Sequence, residues 1–205
     1  MDIMPKDHVK LFDTISPVYA WFFNSQVAYY RKVMNILKQH VPLENYKRVL
    51  DVGCGTGPLC YVLKEAGFDT YGVEVSKGML DQALKRLKGM DIKAYKIEPG
   101  ERFPFDDNFF DIAIASYVAH GIKKEEREIL YKEMSRVARD YVILHDYHRN
   151  RDFLTSFVEW LEGGDYFNFV EQVEEELRKN FEGVKVVELS KRVSLYILKP
   201  YKDLN

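Results

Sequence analysis

Three observations predict an α/β fold in which a doubly wound, mostly parallel seven-stranded sheet ends in an antiparallel hairpin behind an N-terminal helical lid. From Arg48 onward, short apolar runs rich in Val, Ile and Tyr alternate with longer stretches of helical period, the pattern of a parallel sheet covered on both faces. The last two apolar runs are separated only by Ser190, Lys191 and Arg192, a loop so short that its flanking strands must be antiparallel neighbours. Ahead of the first run lies an aromatic-rich leader, Leu11 to Val41, with helical spacing in its second half.

The predicted strands, in order, are Arg48 to Val52, Thr70 to Val75, Ile92 to Ile97, Asp111 to Ala115, Tyr141 to His145, Val184 to Leu189 and Val193 to Leu198. Helical spacing of Val27, Tyr30, Val33, Met34 and Leu37 marks the leader helix, and Val41-Pro42 stops it, because proline disfavours helical geometry in the residue before it. Leu59, Val62, Leu63 and Ala66 define the first crossover helix, and Met79, Ala83, Leu84 and Leu87 the second. Ile129, Leu130, Met134 and Val137 define the third. Val170, Val173, Leu177 and Phe181 mark a further helix, whose Glu171 and Glu174 to Glu176 read as a solvated face. Between them, an insertion from Arg151 to Asn168 carries Phe153, Phe157, Trp160, Tyr166 and Phe167.

Composition narrows the class. The 205 residues, at roughly 150 per domain, fit one domain with a modest elaboration. Apolar residues at 46% and charged residues at 30% exclude a disordered or fibrous chain. Lys and Arg (30) balance Asp and Glu (32), so no global field exists for gripping polyphosphate, and nucleic acid is a disfavoured partner. The longest apolar run, Val18 to Phe23, falls far short of the ~18–20 residues needed to cross a bilayer, and MDIMPKDHVK has no apolar signal core. Cys54 and Cys60 have no partners at zinc-finger spacing, so the expectation is a soluble cytoplasmic protein with reduced thiols.

The most informative stretch is VLDVGCGTG, Val49 to Gly57, where a strand runs into Gly53, Gly55 and Gly57 and then a helix opening on Pro58. Glycines there let the backbone take positive dihedrals and approach a ligand, and a helix N-terminus offers unpaired amide donors. A ligand with a polar or anionic end is expected. Neither frame matches the dinucleotide spacing G-x-G-x-x-G, since the third glycine would be Pro58 or Cys60, and no Lys-Ser/Thr pair follows as a triphosphate loop requires. Asp51 lies two residues before Gly53. Glu74, about twenty residues beyond Gly53 at the end of the second strand, is placed to accept hydrogen bonds from vicinal ribose hydroxyls.

VLDVGCGTG, GVEVSKGML and RFPFDDNFFDIAIASYVAHGI resemble, in order and spacing, the successive motifs of class I S-adenosylmethionine-dependent methyltransferases. The resemblance spans Arg48 to His145 and, through the closing hairpin, reaches Pro200. FDTISPVYAWF, Phe12 to Phe22, looks like the leader of the ubiquinone and menaquinone biosynthesis branch, with Ala20 where an Asp is common. The resemblance implies a leader or lid over residues 1–42 and a Rossmann-like methyltransferase domain over 43–205. It places Asp51, Gly53, Cys54, Gly55 and Gly57 around the methionine half of the cofactor, Glu74 on ribose, and Val75 and Met79 on adenine. Tyr19, Gly100, Glu101, Ser116 and Tyr117 complete the implied cofactor set. Where the family often carries an Asp for the adenine amino group, this chain has Pro99, with Glu98 one position away.

The implied reaction is methyl transfer to a small, apolar or aromatic acceptor, with S-adenosylhomocysteine as product. Ligands of this fold sit beyond the carboxyl ends of the strands, so Ser116, Tyr117, His120, His145, Asp146, Tyr147 and His148 face the reaction. His120 is the candidate base or substrate contact. His145 and His148 with Asp146 lack a defined third-ligand pattern, so no metal is expected. The aromatic leader (Tyr19, Trp21, Phe22, Phe23) and the insertion are candidate walls of an apolar substrate cavity. A homodimer is left open. The competing reading is a binding or regulatory module that keeps the nucleoside pocket without turnover, which the Pro99 departure keeps open.

Overall fold

The computed structural model describes residues 13, 14, 16, 21–148 and 166–201. Its strands run in the order β3-β2-β1-β4-β5-β7-β6 in one seven-stranded sheet. Of these, β1 is Arg48–Val52, β2 Asp69–Glu74, β3 Lys93–Lys96 and β4 Phe110–Ser116, followed by β5 Ala138–Tyr147, β6 Gly183–Glu188 and β7 Val193–Lys199. The β1/β2, β2/β3 and β4/β5 pairs are parallel, and β7 runs antiparallel to both β5 and β6. The predicted fold class and closing hairpin are therefore observed. The chain forms two compact units, one ending at Phe103 and the other starting at Pro104.

In the first unit, helix α1 (Phe23–Leu37) buries Val27, Tyr30, Val33, Met34 and Leu37, the stripe its period predicted. It packs on α2 (Pro58–Glu65), where Phe23 meets Tyr61 edge-on at 5.9 Å and Arg31 forks onto Glu65 at 2.8 and 2.7 Å. The helix gives way to turns from Lys38, just ahead of Pro42. Of the expected aromatic wall, Trp21 (84% exposed) and Phe22 (56%) face solvent, and Phe23 lies in the helical layer. Tyr19 lies outside the described residues. Helix α3 (Lys77–Arg86) buries Met79, Leu80 and Ala83, leaving Leu84 outside. The third strand is shorter than predicted and mostly exposed, as befits the sheet edge.

In the second unit, α4 (Lys124–Val137) passes directly into β5, which is twice the predicted length. Pairing with β4 on one side and β7 on the other keeps β5 extended to Tyr147, opposite Val193. Helix α5 (Tyr166–Asn180) begins inside the predicted insertion; the rest of that segment, 151–165, lies outside the described residues. One expectation is corrected here. Glu176 is only 4% exposed rather than solvated, because Arg127 of α4, fully buried, holds it with two guanidinium bonds of 2.9 and 2.8 Å. Arg127 also donates to Ile122 O at 2.6 Å and lies over the Phe169 ring. A buried charge pair thus occupies the helix contact that Ile129 and Leu130, both half-buried, were expected to fill. Among the described residues, no helix is long and apolar enough to cross a membrane.

Candidate functional site

Two groups of residues are candidates for the site, one in each unit. The first grows out of β1. Gly53 (φ 70°), Gly55 (φ 56°) and Gly57 (φ 87°) all adopt the positive dihedrals that glycine permits. Amides of Gly53 and Cys54 both donate to Val73 O, at 2.9 and 3.1 Å, which ties the loop to the end of β2. The glycines divide their work. A Cβ on Gly55 would meet nothing within 4 Å, so bare backbone faces open space there, whereas one on Gly57 would strike Leu87 Cδ1 at 2.7 Å. Gly57 therefore serves packing of α2 against α3.

Glu74 closes the loop from the side. Its Oε2 accepts from Gly55 N and its Oε1 from Ser76 N, each at 2.8 Å. Burial pushes its pKa above the ordinary carboxylate value, against the lowering effect of those amides. Asp51, 1% exposed, accepts a weak bond from Cys60 Sγ at 3.2 Å. Burial pushes Asp51 up to about 7, opposed by the Cys60 bond and reinforced by the negative charge of Glu74. The thiol of Cys60 is held well above its usual range by Cys54 and by burial, so it is no nucleophile at neutral pH. Cys54 is turned inward, its sulfur within 2.9 Å of where a Gly72 Cβ would stand, and only its backbone belongs to the loop surface.

Asp13 is a functional-region residue that sequence spacing missed. Its Oδ1 accepts from Ser76 Oγ (2.7 Å) and Gly78 N (2.8 Å), and these bonds hold its carboxyl below the usual range. Ser76 Oγ in turn caps α3 through Met79 N at 3.1 Å. The leader is thus fastened two residues from Glu74, and a side chain on Gly78 would collide with Asp13 backbone at 2.9 Å. Only the FD of the leader and the glycine of SKGML hinted at this contact, and neither does so without the fold. Val75 is half-buried and Met79 buried beside this capped turn; Gly100 has φ 76° and Glu101 is exposed. Glu98, considered as a substitute for the missing Asp, pairs with Lys96 at 2.6 Å.

The second group sits at the carboxyl ends of β4 and β5. Register pairs Ser116 with His145, and Ser116 Oγ lies 2.7 Å from His145 Nδ1. Burial pushes His145 down to about 4, so it is neutral at physiological pH. Tyr117 adopts φ 55°, a strained conformation for a residue with a Cβ, costing ~1–3 kcal/mol. It is held by its amide bond to His145 O (2.9 Å) and by its ring against His145 (4.7 Å) and Tyr147 (5.3 Å). His120 Nδ1 lies 2.8 Å from Asp146 Oδ1. Asp146, 1% exposed, also accepts from the amides of Ala119 (3.0 Å), His120 (3.4 Å) and Tyr147 (2.8 Å). The Tyr147 ring is edge-on to His120 at 4.7 Å and to Tyr166 at 5.1 Å. His148 turns away toward Glu188, at 3.5 Å, and does not join His145. Sequence placed His120 and Asp146 at the strand mouth and Tyr166 in the insertion; that the three meet needed the fold.

Residues 50–144 match a family model described as a methyltransferase domain. An uncharacterized methyltransferase of Staphylococcus carnosus is 24% identical over 187 residues, 87% of each chain. Among solved structures, the PH0226 protein of Pyrococcus horikoshii superposes with a TM-score of 0.69 at 18% identity, covering 85% of this chain and 90% of its own. A SAM dependent methyltransferase from Aquifex aeolicus gives 0.63 at 21% identity, over 82% and 89%. Residues 50–144 thus match a methyltransferase domain, and the chain has the fold of solved structures that include a methyltransferase dependent on S-adenosylmethionine.

The residues present fit that cofactor. An ammonium, a sulfonium and two ribose hydroxyls bring positive charge and donors to a loop edged by two buried carboxylates, Asp51 and Glu74, with bare backbone at Gly55.

Proposed function

We propose that this chain is an S-adenosylmethionine-dependent methyltransferase acting on a small acceptor, apolar or aromatic in its bulk, with the glycine loop holding the cofactor and His120 contacting the acceptor. Asp51 and the backbone of Gly53 and Gly55 would flank the methionine half, Glu74 would exchange its amide bonds for ribose hydroxyls, and Val75 and Met79 would flank adenine. S-adenosylmethionine held there would supply a methyl group already activated by positive sulfur, the departing sulfur keeping the electron pair of the S–C bond. The chain's own task is then alignment and exclusion of water. The rings of Tyr117, Tyr147 and Tyr166 support an acceptor with an apolar face.

The observation that carries the reading is the meeting of Glu74 with Gly55 N at 2.8 Å, which joins the acidic strand end to the glycine loop. Calorimetry with S-adenosylhomocysteine tests it. Micromolar binding is expected, falling at least ~10-fold in Glu74→Ala, as loss of hydrogen bonds to a charged group implies. Binding unchanged by that substitution would remove the cofactor assignment from this loop, and turnover of only highly charged acceptors would remove the apolar acceptor.

A further inference from the structure

Asp146 is committed to His120 to a degree that structure alone does not require. The loop from β4 to α4 has two amides on Asp146 Oδ2, and these would suffice to pin the turn. Its Oδ1 is nevertheless aimed at His120 Nδ1 at 2.8 Å, with Tyr147 N fixing the same oxygen from the other side at 2.8 Å. A carboxylate fully taken out of water and acting only as an acceptor dictates the tautomer: the proton of neutral His120 resides on Nδ1, and the lone pair on Nε2. The imidazole is 17% exposed and its plane is set edge-on to Tyr147 and Tyr166. Other groups facing it are the phenols of Tyr117, Tyr147 and Tyr166. Neutral His145 stands beyond Tyr117, and the Arg127–Glu176 pair beyond Ile122 closes on itself.

We propose that Asp146 is a positioning residue that makes His120 a general base, and that the methyl acceptor is accordingly a protic heteroatom, an amine or a hydroxyl, rather than a thiolate nucleophile. This rests on the methyltransferase reading above and narrows its substrate class. A methyl acceptor of the form X–H must lose its proton as the new X–C bond forms. That proton passes to His120 Nε2, the X–H electron pair stays on X, and the resulting imidazolium is neutralised by Asp146 through the Nδ1–H it already holds. A thiolate arrives without such a proton and leaves this dyad nothing to do.

Long-range nitrogen–proton NMR on the full chain with 15N-labelled histidine reads the tautomer directly, His120 being assigned by its loss in His120→Gln. The proposal expects the Nδ1–H form in the native chain and a shift toward Nε2–H in Asp146→Asn, whose amide donates where the carboxylate accepted. An Nε2–H form in the native chain, or no change in the variant, overturns it. Turnover is read with phenol, phenethylamine and thiophenol as probes. Methylation of phenol or phenethylamine is expected, with kcat lowered ~10²–10⁴-fold in His120→Gln at little change in KM. The acid limb of the pH profile should move to lower pH in Asp146→Asn. Thiophenol as sole acceptor, or a kcat indifferent to His120→Gln, sinks the proposal. Calorimetric binding of S-adenosylhomocysteine separates the two failures: intact binding in that case leaves the cofactor reading standing, and absent binding removes it.

Discussion

The glycine loop of the first unit is a site made of backbone, and the His120–Asp146 group of the second is a site made of side chains. In the loop, bonds run from amides of Gly53, Cys54 and Gly55 to Val73 O and Glu74, within a span of little more than twenty residues. In the second group, side chains from β4, β5, the intervening turn and α5 meet across separations such as the 29 residues between Ser116 and His145. A backbone site is fixed by local dihedrals and survives changes in the core. A side-chain site is only as good as the packing that orients its rings, so the two should fail differently.

The largest expected effect is in the second unit. Arg127→Ala leaves Glu176 buried without its partner and should cost about 3–5 kcal/mol of unfolding free energy. It should also loosen α5 and its Tyr166 from His120, while cofactor affinity measured below the unfolding transition stays within a few-fold. Urea unfolding beside calorimetry checks this; a loss below ~1 kcal/mol, the value of a surface pair, would break the distinction.

Next in size are two pH dependences of opposite sign. His145, held down to about 4 when folded, stabilises fully above its unfolded value of 6.5, and that contribution is lost as pH falls from 6.5 toward 4, on the order of 3 kcal/mol. Asp51, held up to about 7, stabilises fully below the unfolded carboxylate value near ~3.9 and loses that contribution as pH rises toward 7. Thermal unfolding across pH 4–8 should therefore lose its acid slope in His145→Gln and its opposing slope in Asp51→Asn. Retention of either slope in its variant would show that another group carries it.

The smallest effect on stability sharpens the comparison most. Gly55→Val forces a β-branched residue to φ 56° and projects it into open space. Affinity for S-adenosylhomocysteine should fall ~100-fold, about 2.7 kcal/mol, while unfolding free energy drops by only ~1–2 kcal/mol. Unchanged affinity would mean that the loop does not meet the cofactor at Gly55.

Much of the fold was legible because burial writes itself as period. Val27, Tyr30, Val33, Met34 and Leu37 are buried as their spacing required, and a short connector, residues 189–192, made β6 and β7 antiparallel neighbours. Period failed where charge replaced hydrocarbon. Arg127 and Glu176 lie 49 residues apart, and each alone reads as a solvated helix residue, so their mutual burial left no local trace. Strand ends failed for a similar reason: β5 is prolonged by partners on both sides, which its own residues do not encode. In the first unit, the gathering of Asp51, Gly53, Gly55 and Glu74 about one loop was legible because it is tied to fixed spacing around one strand–loop–helix unit.

By itself, the sequence determined the parallel α/β class, the closing hairpin and the glycine loop with its two carboxylates, since each depends on dihedral preference or periodic burial within a few tens of residues. Only the tertiary structure decided that Asp13 caps the turn beside Glu74, that Arg127 claims Glu176, and that Asp146 stands against His120. Those choices depend on which distant polar groups are excluded from water together, and desolvation is a property of the assembled packing that no stretch of chain expresses alone.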